Sequence, residues 1–154
     1  MGLHRVAVLA LDPVIGFDMA IPPQLLGTAT DAAGEPLYDV RICGLDREPI
    51  RVFSGYTMIP DHGMEALAEA DTVIVPGTRV AEPRQSGVLP DRLAEAFRSI
   101  RPGTRIMSIC TGAFVLAAAG ILDGRPATTH WAYADAFREL YPRVLLDENV
   151  LFVD

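Results

Sequence analysis

The sequence contains no lysine and few cysteines, and its basic residues are outnumbered by acidic ones. All 13 basic residues are arginine, against 20 acidic residues, which gives a formal net charge of −7. The missing lysine indicates no particular chemistry by itself. An acidic chain without a basic stripe is repelled by a phosphate backbone. We therefore expect this chain to make no direct contact with nucleic acid.

The two cysteines, Cys43 and Cys110, are too few for a disulfide framework, and no CxxC or HxxxH spacing suggests a zinc site. We expect free thiols, no metal and no cofactor. The longest mostly apolar stretch, residues 112–122, is far shorter than the roughly 20 residues that cross a bilayer. The N-terminus also lacks the apolar segment of a secretion signal. The expectation is a cytoplasmic protein without a membrane contact.

The 154 residues, half of them hydrophobic, match one soluble domain that buries its own core. Short apolar runs alternate with longer segments of helical period, which is typical of a parallel sheet between helices. The runs at 6–11 and 73–75 are continuously apolar and should be central strands. The predicted strands are 5–11, 39–45, 72–75, 105–109 and 150–153, with a hairpin within 49–60, and the predicted helices are 22–33, 64–70, 90–100, 112–119 and 131–140.

The last predicted strand, 150–153, stands one residue before the end of the sequence. An apolar strand needs neighbouring chain to cover it. We therefore expect this sequence to be part of a longer protein, whose last strand and helix, and any DNA-binding region, follow Asp154.

Cys110 stands where a predicted buried strand turns directly into an alanine-rich helix. Ser108 and Gly112 flank it at two residues on either side, as in a nucleophile elbow, because so sharp a turn tolerates only small neighbours. The first N–H groups of the helix would favour the thiolate and could receive a substrate oxyanion. The alternative is that Cys110 is a small buried hydrophobe, as many cysteines are. Cys43, in an alternating strand, is expected to be a packed or partly exposed thiol without a role.

The segment 108–131, which runs from Ser-Ile-Cys-Thr-Gly to Thr-Thr-His-Trp, resembles the ThiJ/PfpI superfamily. Phe17-Asp18-Met-Ala-Ile-Pro resembles that family's acidic loop after the first strand, and residues 70–77 resemble its strand that ends in Pro-Gly. The resemblance covers nearly the whole chain. It implies the class I glutamine amidotransferase-like fold, which is a flavodoxin-like, doubly wound and mostly parallel sheet with helices on both faces.

The resemblance also implies roles for single residues. Cys110 would be the reactive thiol, Asp18 the carboxyl group that hydrogen-bonds it, and His130 the nearby imidazole. A neutral carboxyl group would steady a thiolate, whereas an ionised one would raise the thiol pKa, so the two groups should titrate as a pair. Taken alone, Asp18 also fits a cap for the helix at 22–33, and His130 also fits a structural histidine. The ligand-binding residues implied are Thr111, Gly77 and Gly112.

Many superfamily enzymes of the deglycase or protease type have Glu where this chain has Asp18. Asp together with Cys-Thr is more similar to the isonitrile hydratases and to the GlxA- and AdpA-type regulators, in which such a domain precedes an AraC-type DNA-binding region. The first hypothesis is therefore a regulator's ligand-sensing, homodimerising domain that contacts DNA only through an absent C-terminal region. The second is a cysteine-dependent hydratase or hydrolase, and the third is a degenerate fold whose thiol only oxidises.

Overall fold

The computed structural model describes residues 2–154, which fold into eight strands and six helices. In chain order the strands are β1 (His4–Leu9), β2 (Tyr38–Cys43), β3 (Ile50–Val52), β4 (Tyr56–Met58), β5 (Thr72–Val75), β6 (Arg105–Ser108), β7 (Pro126–Ala127) and β8 (Leu145–Leu146). The helices are α1 (Gly16–Leu26), α2 (Glu65–Glu69), α3 (Ala81–Gln85), α4 (Asp91–Ser99), α5 (Gly112–Ala118) and α6 (Ala134–Leu140), and a 3-10 turn (Trp131–Tyr133) precedes α6.

Four parallel strands form the central sheet in the order β2-β1-β5-β6. In the register of the sheet, Val6 pairs with Thr72, and Thr72 pairs with Arg105. The two inner strands, β1 and β5, are the ones with continuous apolar runs, and helices or the hairpin cover both of their faces. The prediction of an α/β fold with a mostly parallel sheet is confirmed.

Each face of the sheet has its own hydrophobic core. On one face, Leu9 and Val75 pack with α2, α4 and α5 through buried residues that include Leu67, Leu93 and Val115. The other face packs against α1 and the β3–β4 hairpin through Val6, Val8, Val14, Met19, Ile50, Val52 and Ile74. The hairpin strands pair antiparallel, as predicted for 49–60.

An aromatic cluster joins α5 to α6 beside the sheet. The ring of Phe137, which is fully buried, meets Phe114 edge to face at 4.9 Å between centroids and lies 5.2 Å from Tyr141. The Tyr141 hydroxyl donates a hydrogen bond to the carbonyl of Pro83 in α3 at 2.5 Å. Helices α3, α5 and α6 are thereby held as one unit.

Most predicted elements are confirmed to within two residues. This holds for the first four predicted strands and for the helices at 64–70, 90–100 and 112–119. The segment 131–140 is divided between the 3-10 turn and α6. The short helix α3 was not predicted. Among residues 2–154, no helix has both the length and the apolar character required to span a bilayer.

The predicted helix at 22–33 is wrong in its position. Helix α1 runs from Gly16 to Leu26, and Pro22 and Pro23 lie inside it rather than in its first turn. The prediction followed the rule that proline suits a first turn, where its missing N–H is harmless. A tertiary contact decides the outcome instead, because the N–H of Ile15 donates to the carbonyl of Gly77 at 2.8 Å and fixes the chain just before the helix.

The predicted strand at 150–153 is also wrong. These residues form no strand in the described chain, and Leu151 and Phe152 are 99% and 79% exposed. The short parallel pair in this region is formed by β7 and β8 instead. An apolar run indicates that a segment can pair, but pairing also needs a neighbouring strand at the right place.

Removing the ring of Phe137 should unfold the aromatic cluster. Phe137→Ala is expected to lower the free energy of unfolding by about 3–5 kcal/mol, because the cavity lies among rigid neighbours. Urea denaturation followed by circular dichroism measures the loss. The matched control is Phe152→Ala at an exposed position, expected to change stability by no more than about 0.5 kcal/mol. Equal losses for the two variants would contradict the packing described.

Candidate functional site

Cys110 lies at the corner between β6 and α5. Its φ angle is 56°, in the left-handed region, and it is the one residue other than glycine with a positive φ among residues 2–154. A side chain in this conformation costs roughly 1–2 kcal/mol. Strain of this kind is concentrated at functional sites. The corner therefore marks Cys110, which is half-buried, as a candidate for function.

The corner is built against a single carbonyl group at the end of β5. The N–H of Ile109 donates to the carbonyl oxygen of Val75 at 3.0 Å. On the helix side of the corner, a Cβ atom on Gly112 would lie 2.2 Å from the same oxygen. Since no side chain fits there, position 112 requires glycine, and the two arms of the turn are held close together.

Asp18 reaches the corner from the first turn of α1. Its side chain is only 7% exposed and lies beside the thiol of Cys110. A Cβ on Gly77 would lie 2.2 Å from Oδ2, so glycine is needed for the carboxyl group to fit. Oδ2 is buried and has no hydrogen-bond partner with acceptable geometry among residues 2–154. The structure shows no side-chain cap at the start of α1, so the alternative of Asp18 as a helix cap is wrong.

Burial disfavours the charged form of both Asp18 and Cys110. Burial raises the pKa of the Cys110 thiol, the charge of Asp18 raises it further, and contacts with Thr111 offset this only in part. Burial likewise raises the pKa of Asp18, against smaller opposite effects of Cys110, Gly77 and His130. The N–H of Thr111 lowers the pKa of Cys110, as expected of a helix N–H group, but burial and the Asp18 carboxylate outweigh it, so the net shift is upward.

His130 lies at the start of the 3-10 turn on the same side of the corner. Its Nδ1 accepts a hydrogen bond from the N–H of Ala132 at 3.1 Å, and its ring stacks on Trp131 with 5.5 Å between centroids. The preceding residue, Thr129, donates its hydroxyl to the carbonyl of Cys110 at 3.1 Å. The turn before α6 is thus tied directly to the corner.

A cavity of about 760 Å³ extends along β6 from Cys110 and His130. Residues 105–110 line one side, and residues 121–130 and 151–154 line the others. β6 is the outermost strand of its sheet. In a parallel strand, alternate residues hydrogen-bond to the neighbour on one side and the residues between them face the other side. The N–H groups of Arg105 and Ile109 bond to carbonyls of the β5 segment. The N–H and C=O groups of Ile106 and Ser108 therefore face the open side of the sheet. The volume is that of a small-molecule site.

The other residues implied as ligand-binding support the corner from behind. The hydroxyl of Thr111 donates to the carbonyl of Thr78 at 3.0 Å and accepts from its N–H at 3.1 Å, so this buried side chain is fully engaged. Gly77 and Gly112 provide room for Asp18 and Val75 and do not line the cavity. Sequence reasoning missed Thr78 and Thr129, because a threonine by itself gives no signal of its partner.

Cys43 lies deeper in the protein than Cys110 and away from the cavity. It is fully buried, its Sγ donates to the carbonyl of Val8 at 3.6 Å, and burial raises its pKa to about 12. The prediction of a packed thiol is confirmed. Within the described residues, no group of three or more His, Cys, Asp or Glu side chains is placed to hold a metal ion.

The sequence model of the DJ-1/PfpI family matches residues 4–151. The chain belongs to the DJ-1/PfpI family. The ThiJ/PfpI resemblance read from the sequence is thus confirmed. As a member of this family, the chain is also similar in fold to Drosophila melanogaster DJ-1beta, with a TM-score of 0.74 at 20% identity; the match covers 99% of this chain and 78% of that one.

Three curated relatives are similar to this DJ-1/PfpI chain over most of its length. A Streptomyces lividans protein described as uncharacterized, in the cpoL 5' region, is 36% identical over 86% of this chain and 91% of its own length. The HTH-type transcriptional regulator CdhR of Pseudomonas aeruginosa is 32% identical over 92% of this chain but 40% of its own length. Isonitrile hydratase of Pseudomonas putida is 30% identical over 95% of this chain and 63% of its own length.

Removing the charge of Asp18 should make Cys110 of this DJ-1/PfpI protein more acidic. In Asp18→Asn the thiol loses the carboxylate that raises its pKa, so alkylation by iodoacetamide should reach half its limiting rate at a lower pH. Mass spectrometry of the Cys110 peptide follows this site separately from Cys43. Asp91→Asn, at an exposed position in α4, is the control and should leave the midpoint unchanged. A midpoint that stays or rises in Asp18→Asn would show that the charge of Asp18 does not act on the thiol.

Proposed function

We propose that this chain is the ligand-sensing and dimerising part of a longer HTH-type transcriptional regulator that acts in the cytoplasm. The observation that carries the proposal is the alignment with CdhR, which covers 92% of this chain but only 40% of the regulator. A net charge of −7 supports the same division of labour, because DNA contact would then belong to another region. The ligand itself would be a small molecule held beside Cys110.

Ligand binding in the cavity could change the packing of α6, through the segment that joins Cys110 to this helix. A ligand beside Cys110 would touch the segment 126–130, which the Thr129 hydroxyl ties to the Cys110 carbonyl. This segment leads through the 3-10 turn into α6, and α6 packs on α3 and α5. Different packing of α6 with and without ligand would give the two states that any sensor requires.

The open edge of β6 supports the proposal that the full protein is longer than this chain. The outward N–H and C=O groups of Ile106 and Ser108 lack strand partners within residues 2–154, and Met107 is exposed beside them. An unprotected apolar edge is a pairing site. We propose that a further strand of the longer protein pairs with this edge of β6. We also propose that the longer protein, rather than this chain alone, forms the two-fold contact of a homodimer.

The full-length protein and the 154-residue chain should differ in DNA binding. Fluorescence anisotropy with labelled duplex DNA is expected to show binding by the full-length protein that weakens steeply as salt rises. The isolated acidic chain should show no binding at about 150 mM salt and micromolar concentration, where non-specific binders are detected. A downstream reading frame without a basic helix-turn-helix region, or a full-length protein that ignores DNA, would contradict the regulator proposal.

The second candidate is an isonitrile hydratase, favoured by the 30% identity to that enzyme over 95% of this chain and by the pairing of Cys110 with a buried carboxyl group. The thiolate would attack the terminal isonitrile carbon, which takes a proton from Asp18 and forms a thioimidate. Water would then add to that carbon, the carbon–sulfur bond would break, and the thiol would be regenerated with an N-substituted formamide.

An assay with cyclohexyl isonitrile separates the two candidates. If the chain is a sensor, its rate of N-cyclohexylformamide formation, measured by liquid chromatography, should not exceed that of a protein-free blank. Cys110→Ser should give the same result, and Cys43→Ser controls for the second thiol. Turnover that is present in the wild type and in Cys43→Ser but lost in Cys110→Ser would replace the sensor proposal by the enzyme.

A further inference from the structure

The hydrogen bond at His130 fixes which nitrogen of its neutral ring carries the proton. A backbone N–H can only donate, and that of Ala132 points to His130 Nδ1 at 3.1 Å. Nδ1 must therefore be the acceptor. A neutral imidazole has one acceptor nitrogen and one N–H. The proton of neutral His130 is consequently on Nε2.

The surroundings of His130 hold the ring in this orientation. Trp131 stacks on the ring, and Tyr133 lies against it at 5.4 Å between centroids. The guanidinium of Arg84 lies over the ring of Tyr133, 4.7 Å from its centroid. A flip of the imidazole would remove the acceptor that caps the 3-10 turn. The tautomer is thus set by the fold and does not depend on a bound ligand.

The Nε2 side of His130 is free to meet a ligand. His130 lines the cavity together with Cys110, and Nε2 has no hydrogen-bond partner among residues 2–154. Asp18 lies close enough for His130 to lower its pKa, and Cys110 lines the same cavity as His130. No carbonyl or hydroxyl of the described chain already occupies this donor.

We propose that His130 presents Nε2–H as a fixed donor to a carbonyl or carboxylate oxygen of the ligand, and that it does not remove the proton of Cys110. Nε2 already carries a proton, and a proton on Nδ1 would break the bond from Ala132. Removal of the thiol proton is thereby left to Asp18 or to water. This deepens the proposed function by naming a chemical feature of its ligand, and it relies on that function only for placing the ligand beside Cys110.

Nuclear magnetic resonance tests the tautomer without changing residue 130. In the variant His4→Gln/His62→Gln, labelled with ¹⁵N, His130 is the sole histidine. At a pH where the ring is neutral, Nδ1 should give the signal of an unprotonated nitrogen and Nε2 that of a protonated one. The opposite assignment, or an averaged pair of signals, overturns the proposal whatever the full-length protein does.

Two substitutions separate the donor from the cap. His130→Asn keeps an oxygen acceptor near Nδ1 and lacks the donor, whereas His130→Gln keeps an amide N–H near Nε2 and lacks the cap. The probes are iodoacetamide and iodoacetate, which carry a carbonyl and a carboxylate oxygen, and allyl bromide, which carries no oxygen. In each case the Cys110 sulfur forms a bond to carbon and a halide ion leaves. Limiting rates at alkaline pH are compared, so that the fraction of thiolate does not enter, and allyl bromide reports any change in the nucleophilicity of the sulfur itself.

Loss of one neutral hydrogen bond corresponds to roughly a three- to tenfold change. His130→Asn should slow alkylation by the oxygen-bearing reagents by this factor, and His130→Gln should stay within about twofold of the wild type. Allyl bromide should react equally with all three proteins. The reagent with the larger loss identifies the preferred oxygen, carbonyl or carboxylate. Equal losses in the two variants, or the same loss with allyl bromide, would overturn the donor role and leave the regulator proposal untouched.

Discussion

The site depends on a short segment at the end of β5, residues 75–78, which the turn around Cys110 and the first turn of α1 approach at close range. The carbonyl of Val75 accepts a hydrogen bond from Ile109 on one arm of the turn that contains Cys110 and leaves no room for a side chain at Gly112 on the other. Gly77 leaves the space that Asp18 fills, and Thr78 exchanges two hydrogen bonds with Thr111. Because each contact excludes larger groups, the segment sets where the thiol and the carboxyl group meet. Burial of the pair then follows from the fold rather than from the two residues themselves.

A thiol and a carboxyl group in such a position do not behave as an activated nucleophile with its base. Burial raises both pKa values, the charge of Asp18 raises that of Cys110 further, and the contact with the Cys110 thiol lowers that of Asp18 in part. Near neutral pH the thiol is therefore mainly protonated, with an acidic group beside it. A protonated, half-buried thiol reacts more slowly with electrophiles than an exposed thiolate does, until a ligand or a proton transfer changes its state.

The turn at Cys110 could be predicted because it rests on local patterns, a small residue two positions away on each side and an alanine-rich helix. The strand before it was expected to be buried, which is wrong, because β6 is an edge strand in which Arg105 and Met107 are exposed. The resemblance of residues 108–131 to a known family supplied the pairing with Asp18, which no local pattern gives. Helix α1 was misplaced since its start depends on a bond between Ile15 and Gly77, remote in sequence. The terminal strand was wrong for a related reason, because pairing needs a partner that an apolar run does not reveal. The inward orientation of Thr111 could not be predicted, as a threonine can face either side of a helix start.

The wall of the cavity formed by β6 includes the outward N–H and C=O groups of Ile106 and Ser108. Its polar groups at Ile106 and Ser108 are the same whatever side chains stand there, and among the twenty residues only proline removes an N–H. Side-chain substitutions in β6 would therefore leave these main-chain donors and acceptors in place. New ligand preferences would have to arise mainly from the opposite walls at 121–130 and 151–154. The hydrogen-bonding groups of β6 would then be common to related cavities, whereas the side chains of the other walls would differ between them.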